Sequence, residues 1–175
     1  ADLPGYKFDL EKAKALMKES KSPNGFTLDM QVRSGNADMA NVATIVKDQR
    51  PKIGINVNIQ NLATSVVRTN YREGKYQAMP SAWTNDMNDP TQIVNYEMRG
   101  GPGTQFAYWT RYYNQELNDK ITKADLEMDA KKREAGYYEI QKQFQGDAPI
   151  VWLAYTPATA AWKRRKGEGF RMDGG

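Results

Sequence analysis

Phe26-Thr27-Leu28-Asp29-Met30-Gln31-Val32-Arg33 alternates apolar and polar side chains with a period of two, the pattern of a strand that buries one face and wets the other. From about Asp38, Met39, Val42, Ala43 and Val46 recur at i, i+3, i+4 and i+7, which is one face of a helix. That helix should kink or stop near Arg50-Pro51, because proline removes a helical donor, and Gly54 suits the residue past its end. Ile55-Asn56-Val57-Asn58-Ile59-Gln60 then alternates again. A strand, a helix and a strand in this order predict two parallel strands joined by a right-handed crossover. The expected fold class is therefore α/β, a mostly parallel sheet flanked by helices in a single domain spanning residues 1–175.

Upstream of this unit, Asp9 is placed to cap a helix running to about Ser20, with Glu11 in its first turn and Leu10, Ala13 and Met17 on one face. Downstream, Val66, Val67, Asn70 and Tyr71 mark a helix ending before Gly74, and Tyr76 to Ala82 reads as a further strand. Pro80 cannot donate to a ladder, so this strand lies at an edge or leaves the sheet there. Asp89 as cap and Pro90 at the first position predict a short helix to Arg99. The aromatic cluster Phe106, Tyr108, Trp109, Tyr112 and Tyr113 has no single period and either packs as core or lines a groove. Leu117, Ile121 and Ala124 predict a helix from about Gln115, and Asp129 caps another on which Tyr137, Ile140 and Phe144 share a face. Ile150-Val151-Trp152-Leu153 is a continuous apolar run, as in a central strand buried on both faces, and Ala158, Ala160 and Trp162 alternate after it.

A chain of 175 residues is about one domain long and can bury one real core. It has no Cys and no His, which removes the commonest metal ligand, the usual general base, the zinc signatures and every His-dependent triad. Asp86 and Asp89 are paired carboxylates around a turn, but neither a base–nucleophile pair nor a phosphate loop accompanies them. No catalytic residue, metal site or cofactor is expected, and the chain reads as a non-enzyme. Lys and Arg number 25 against 21 Asp and Glu, a net charge of +4 that is interspersed rather than striped. The one dense basic run, Lys163-Arg164-Arg165-Lys166, reads as a solvated turn rather than a nucleic-acid site. No apolar run reaches transmembrane length and residues 1–5 carry no signal-peptide pattern, so a soluble chain without membrane insertion is expected.

The segment from Tyr76 opens into Trp83-Thr84-Asn85-Asp86-Met87-Asn88-Asp89-Pro90. A strand ending in an aromatic, with a carboxylate three residues on and an Asp-Pro turn, places an exposed ring and a charge at the sheet's carboxyl edge, where open α/β sheets bind ligands. Trp83, Thr84, Asn85 and Asp86 are the candidate ligand-binding residues. The plain structural alternatives are that Asp86 stabilises the turn before Asp89-Pro90 and that Trp83 is core at a sheet end.

This pattern of strand, Trp, polar pair and Asp resembles the ligand-facing segment of the family 5 (peptide- and nickel-type) extracellular solute-binding proteins that feed ABC transporters. Three more segments agree in order and spacing, so that the resemblance covers nearly the whole chain: Tyr6 to Leu16, Lys52-Ile53-Gly54-Ile55-Asn56-Val57, and Ala148-Pro149-Ile150-Val151-Trp152-Leu153. The resemblance implies a periplasmic-binding-protein-like lobe, the carboxyl-terminal one of two that close on a ligand by a hinge. It also implies a periplasmic or extracellular location, with the amino-terminal lobe and an ABC permease as partners. By the same resemblance Asp86 matches the carboxylate that pairs with the ligand's α-amino group in peptide-binding members, and Trp83 the aromatic beside it. A carboxylate meeting an ammonium is typically worth about 1.5 to 3 kcal/mol, and the indole adds apolar area and cation–π attraction. The implied ligand is a peptide or a related amine-bearing small solute.

The chain departs from the family pattern at Ala82, where Gly is common, and at Arg50 and Pro51, where small or apolar residues are common. Pro80 lies where some oligopeptide binders carry an Arg that contacts the ligand carboxylate, and the lack of His argues against nickel. With the opposing lobe missing, little affinity is expected from the chain alone. The alternative is an isolated stable domain, natural or engineered, that serves as a scaffold or interaction module. Arg50, the basic run and the glycine-rich joints at Gly100 to Gly103 and Gly167 to Gly169 would fit such surface editing.

Overall fold

The structure, a computed structural model, describes residues 3, 5–83, 86–102 and 110–154. These fall into two compact units, one drawn from residues up to 83 with 110–111, the other from 86–102 with 112–154.

The first unit contains α1 (Leu10–Glu19), β1 (Phe26–Arg33), α2 (Ala37–Gln49), β2 (Ile55–Leu62) and α3 (Thr64–Glu73). Side chains start the first two helices: Asp9, as expected from the sequence, accepts the N–H of Lys12 at 2.9 Å, and Asn36 accepts that of Met39 at 2.9 Å. Pro51 does not end the chain's winding. It sits in a 3₁₀ turn, Arg50–Ile53, that Gly54 closes at φ 82°. Gly25, at φ 86°, lies so close to Gly54 that a Cβ on it would come within 2.0 Å of the Gly54 carbonyl oxygen. The two strands pair in parallel from Phe26↔Ile55 to Arg33↔Leu62, and Met30, Val32, Met39, Ala43, Ile55 and Val57 form the core beneath α2.

Two expectations are corrected in this unit. β1 does not keep one dry and one wet face, because Met30, Gln31 and Val32 are buried in succession while Phe26 is 42% exposed. The reason is that β1 is covered on both faces at its carboxyl half. The Gln31 amide, although buried, is satisfied by donating to the Lys75 carbonyl at 3.0 Å and accepting from Asn70 at 3.1 Å. Tyr76 to Ala82 is also not a strand: a single parallel bridge joins Met30 to Ala78, and the ladder stops there. The Gln31 N–H reaches the Ala78 carbonyl at 2.9 Å, but two residues later Pro80 has no N–H to continue the ladder, so the segment leaves the sheet.

The second unit holds α4 (Pro90–Ile93), which runs directly into a π-helical turn, Val94–Met98, followed by α5 (Gln115–Leu126) and α6 (Ala130–Asp147). Asp89, Asn114 and Asp129 cap the three helices. The wide turn shows in the bond from the Arg99 N–H to the Val94 carbonyl, five residues back, at 3.1 Å. Leu117, Ile121, Tyr137, Ile140 and Phe144 meet Val94 in a second core, as their helical spacing predicts. Of the aromatic cluster, Tyr112 packs edge-on against Phe144 at 5.3 Å while Tyr113 is 58% exposed; Phe106, Tyr108 and Trp109 lie outside the described residues. The expected central strand at 150–153 is not formed: Ile150 touches the core, but Val151 is 66% and Leu153 62% exposed. An apolar run becomes a central strand only when neighbours pair with both its edges, and among the described residues none does. The alternation at 158–162 and the basic run at 163–166 also lie outside the described residues.

Candidate functional site

Thr84 and Asn85 lie outside the described residues, and the division between the two units falls between them and Trp83. In the first unit Trp83 is 39% exposed, so it is not a core residue. In the second, Asp86 is exposed and sits in a loop closed by one side chain, Gln92. The Gln92 carbonyl oxygen accepts the N–H of Asp86 at 2.7 Å and of Met87 at 3.2 Å, while its amide nitrogen donates to Asp86 Oδ2 at 2.9 Å. No donor among the described residues meets Asp86 Oδ1.

Asp89 has a different role. Its Oδ1 caps α4 by accepting the Thr91 N–H at 2.8 Å and also receives the Arg133 guanidinium at 2.8 Å. Arg133 and the bonds from Thr91 hold the Asp89 carboxyl well below the usual carboxylate range. The same Arg133 nitrogen donates to Thr91 Oγ1 at 2.7 Å, and the guanidinium lies 4.8 Å from the Tyr137 ring centroid. The Tyr137 hydroxyl gives its only proton to Asp125 Oδ1 at 2.6 Å, so at the 2.8 Å contact between Thr91 and Tyr137 the threonine is the donor. Burial and then Asp125 push the Tyr137 phenol upward. Asn95 and Arg99 hold the other oxygen of Asp125 at 3.0 and 3.4 Å. The two acids paired in the sequence are thus separated by task. Asp89 is consumed by architecture, and Asp86 keeps one oxygen that no donor among the described residues meets.

Two buried polar atoms lack any partner among the described residues. One is Nε of Arg33, the last residue of β1, at the carboxyl end of the parallel pair and three residues before the Asn36 cap of α2. A guanidinium stays charged at any physiological pH, so an unmet donor there is suited to an anion. The other is Oε2 of Glu97, on the π turn; the residue is 6% exposed, and burial pushes its carboxyl up to about 7. Neither atom stood out in the sequence, although the rule that points to the lip, binding at the carboxyl ends of strands, applies equally to Arg33. A cavity of about 460 Å³ lies elsewhere in the first unit, between Met17 and Lys18 of α1 and the Gly25–Gly54 contact, and none of the predicted site residues lines it. No cluster of three or more acidic, His or Cys residues among those described is placed to hold a metal ion, and no described helix is long and apolar enough to cross a membrane.

The family model of the bacterial extracellular solute-binding proteins, family 5 Middle, matches residues 1–105. The chain is 26% identical over 168 residues to di/tripeptide-binding protein 2 of Pseudomonas aeruginosa (strain UCBPP-PA14), covering 94% of this chain and 31% of that protein. It is 24% identical over 159 residues to the dipeptide-binding protein of Escherichia coli (strain K12), covering 89% of this chain and 30% of that one. Among solved structures, it superposes with a TM-score of 0.74 and 28% identity on the ABC transporter-associated periplasmic binding protein DppA from Helicobacter pylori in complex with the peptide STSA, over 85% of this chain and 29% of that one. The chain therefore spans less than a third of the length of the curated relatives it matches.

Proposed function

Because the chain belongs to the family 5 bacterial extracellular solute-binding proteins, we propose that it is a carboxyl-terminal-lobe segment of an ABC importer's binding protein, one that takes peptides or related amine-bearing small solutes. The observation that carries this reading is Asp86, an exposed carboxylate fastened through one oxygen and met at the other by no donor among the described residues. An ammonium brings three donors and a full charge to such an oxygen, and Trp83 supplies apolar wall and cation–π attraction. The lobe works by binding and not by catalysis. Its remaining lobe and an ABC permease are its partners, and its location is the periplasm or the cell exterior.

Amide chemical shifts of the chain, titrated with L-alanyl-L-alanine and with glucose as a control, test the reading. Movement of Trp83 and Asp86 with the dipeptide alone, weakened by Asp86→Asn, is the expected outcome. A well-folded spectrum that ignores the dipeptide at high millimolar concentration would sink it and leave the chain as a scaffold.

A further inference from the structure

The loop bearing Asp86 is held in a way that a simple turn does not require. Three hydrogen bonds converge on it from one side chain, using both ends of the Gln92 amide: two backbone N–H groups at 2.7 and 3.2 Å, and the carboxylate Oδ2 at 2.9 Å. The backbone of residues 86–87 and the rotamer of Asp86 are therefore set by the same group. Rotating the Asp86 carboxylate breaks the bond to Oδ2, while moving the loop breaks the other two. Gln92 is itself held in place, since it follows Thr91 in α4. Thr91 and the Asp89 cap are both gripped by Arg133 of α6, at 2.7 and 2.8 Å. A chain of contacts thus runs from α6 through the helix start to the carboxylate.

We propose that Gln92 is the positioning residue that turns Asp86 Oδ1 toward a ligand's ammonium, with Arg133 as the anchor of the turn on which Gln92 stands; this rests on the reading of Asp86 as the ammonium anchor. The physical gain is preorganisation. An exposed aspartate normally orders its side chain at the moment of binding and loses affinity by doing so, whereas here the order is present beforehand. Losing one ordered side chain weakens binding by about 2- to 10-fold, and only for ligands that use the ordered group. Gln92 touches no ligand in this scheme. It acts through Asp86, so it governs discrimination between a free and a blocked amine and leaves the rest of the solute's contacts alone.

The test uses the whole chain and a Gln92→Met variant, which keeps length and volume but neither donates nor accepts. Two measurements are made: the Asp86 side-chain rotamer from three-bond couplings without ligand, and the titration of the Asp86 amide with L-alanyl-L-alanine and with N-acetyl-L-alanyl-L-alanine. A single Asp86 rotamer that becomes averaged in the variant, together with a drop of about 2- to 10-fold for the free dipeptide and none for the acetylated one, supports the proposal. An unchanged rotamer and unchanged titrations in Gln92→Met overturn it. Equal weakening for both probes also overturns it, because that pattern marks a general loss of structure. If the wild-type chain ignores the dipeptide while its rotamer still depends on Gln92, the ammonium reading of Asp86 fails, and the positioning role fails with it for a reason distinct from the clamp.

Discussion

Replacing Glu97 with glutamine should stabilise the second unit at about pH 8 and change little at about pH 4. Burial lifts this carboxyl from an ordinary 4.5 to about 7, and at about 1.4 kcal/mol per tenfold change in proton affinity the difference amounts to about 3 kcal/mol. The sign follows from proton counts. Between these two values the folded chain holds a proton on Glu97 that the unfolded chain has lost, so stability falls as pH rises from 4.5 toward 7. Above that range both states are ionised, and the folded state carries the cost of a carboxylate whose Oε2 is buried without a partner among the described residues. Glutamine mimics the protonated acid and cannot ionise. The assay is urea denaturation followed at the amides of Ile121 and Ile140, which lie in the core of the same unit, with wild type and variant compared across pH. Wild-type stability that stays flat from pH 4 to 8, or a variant that retains the wild-type slope, would refute the reasoning, because either would mean that Glu97 is solvated or paired in the folded chain.

Asp89→Asn removes a carboxyl that is held below its ordinary 3.8, so it takes away stability that is present above about pH 4 and that the wild type itself loses as the pH falls further. The expected result is a lower melting temperature for the second unit at neutral pH and a narrower gap from wild type in acid. Ile140→Ala, at a fully buried position, should cost about 2 to 5 kcal/mol by urea denaturation and should spare the amides of the first unit if the two cores are independent. Gly25→Ala adds a Cβ where the Gly54 carbonyl already stands and imposes a left-handed conformation on alanine, so it should destabilise the first unit by more than about 1 kcal/mol, measured the same way.

Periodicity and capping residues gave good account of everything local in this chain. The helix starts at Asp9, Asp89 and Asp129, the parallel pairing of the two alternating stretches, and the buried faces of α5 and α6 all depend on residues within a few positions of one another, where 3.6- and 2-residue repeats are direct geometry. Proline was legible in the same way at 80, where a missing N–H ends the bridge to β1. What failed was whatever needed a neighbour from far along the chain. The run at 150–153 has the composition of a central strand but no flanking strands among the described residues, and β1 lost its wet face because the chain around Asn70 and Lys75 returns to cover Gln31.

The same division runs through the site. A residue's chemistry is written in the sequence, so Asp86 and Asp89 were both visible as carboxylates, but which of them remains available for a ligand is a matter of who pairs with whom. Arg133 reaches Asp89 from 44 positions away, and Gln92 fastens Asp86 through a contact that no repeat or motif encodes. The sequence by itself determined the main helices, the parallel pair of strands, their order and the family pattern around Trp83 and Asp86. Only the tertiary structure decided that Asp89, legible as a cap, is also held by Arg133, and that, among the described residues, Asp86 Oδ1, Arg33 Nε and Glu97 Oε2 meet no partner. Charge and hydrogen-bonding capacity belong to single residues, whereas their satisfaction belongs to pairs that chain folding brings together.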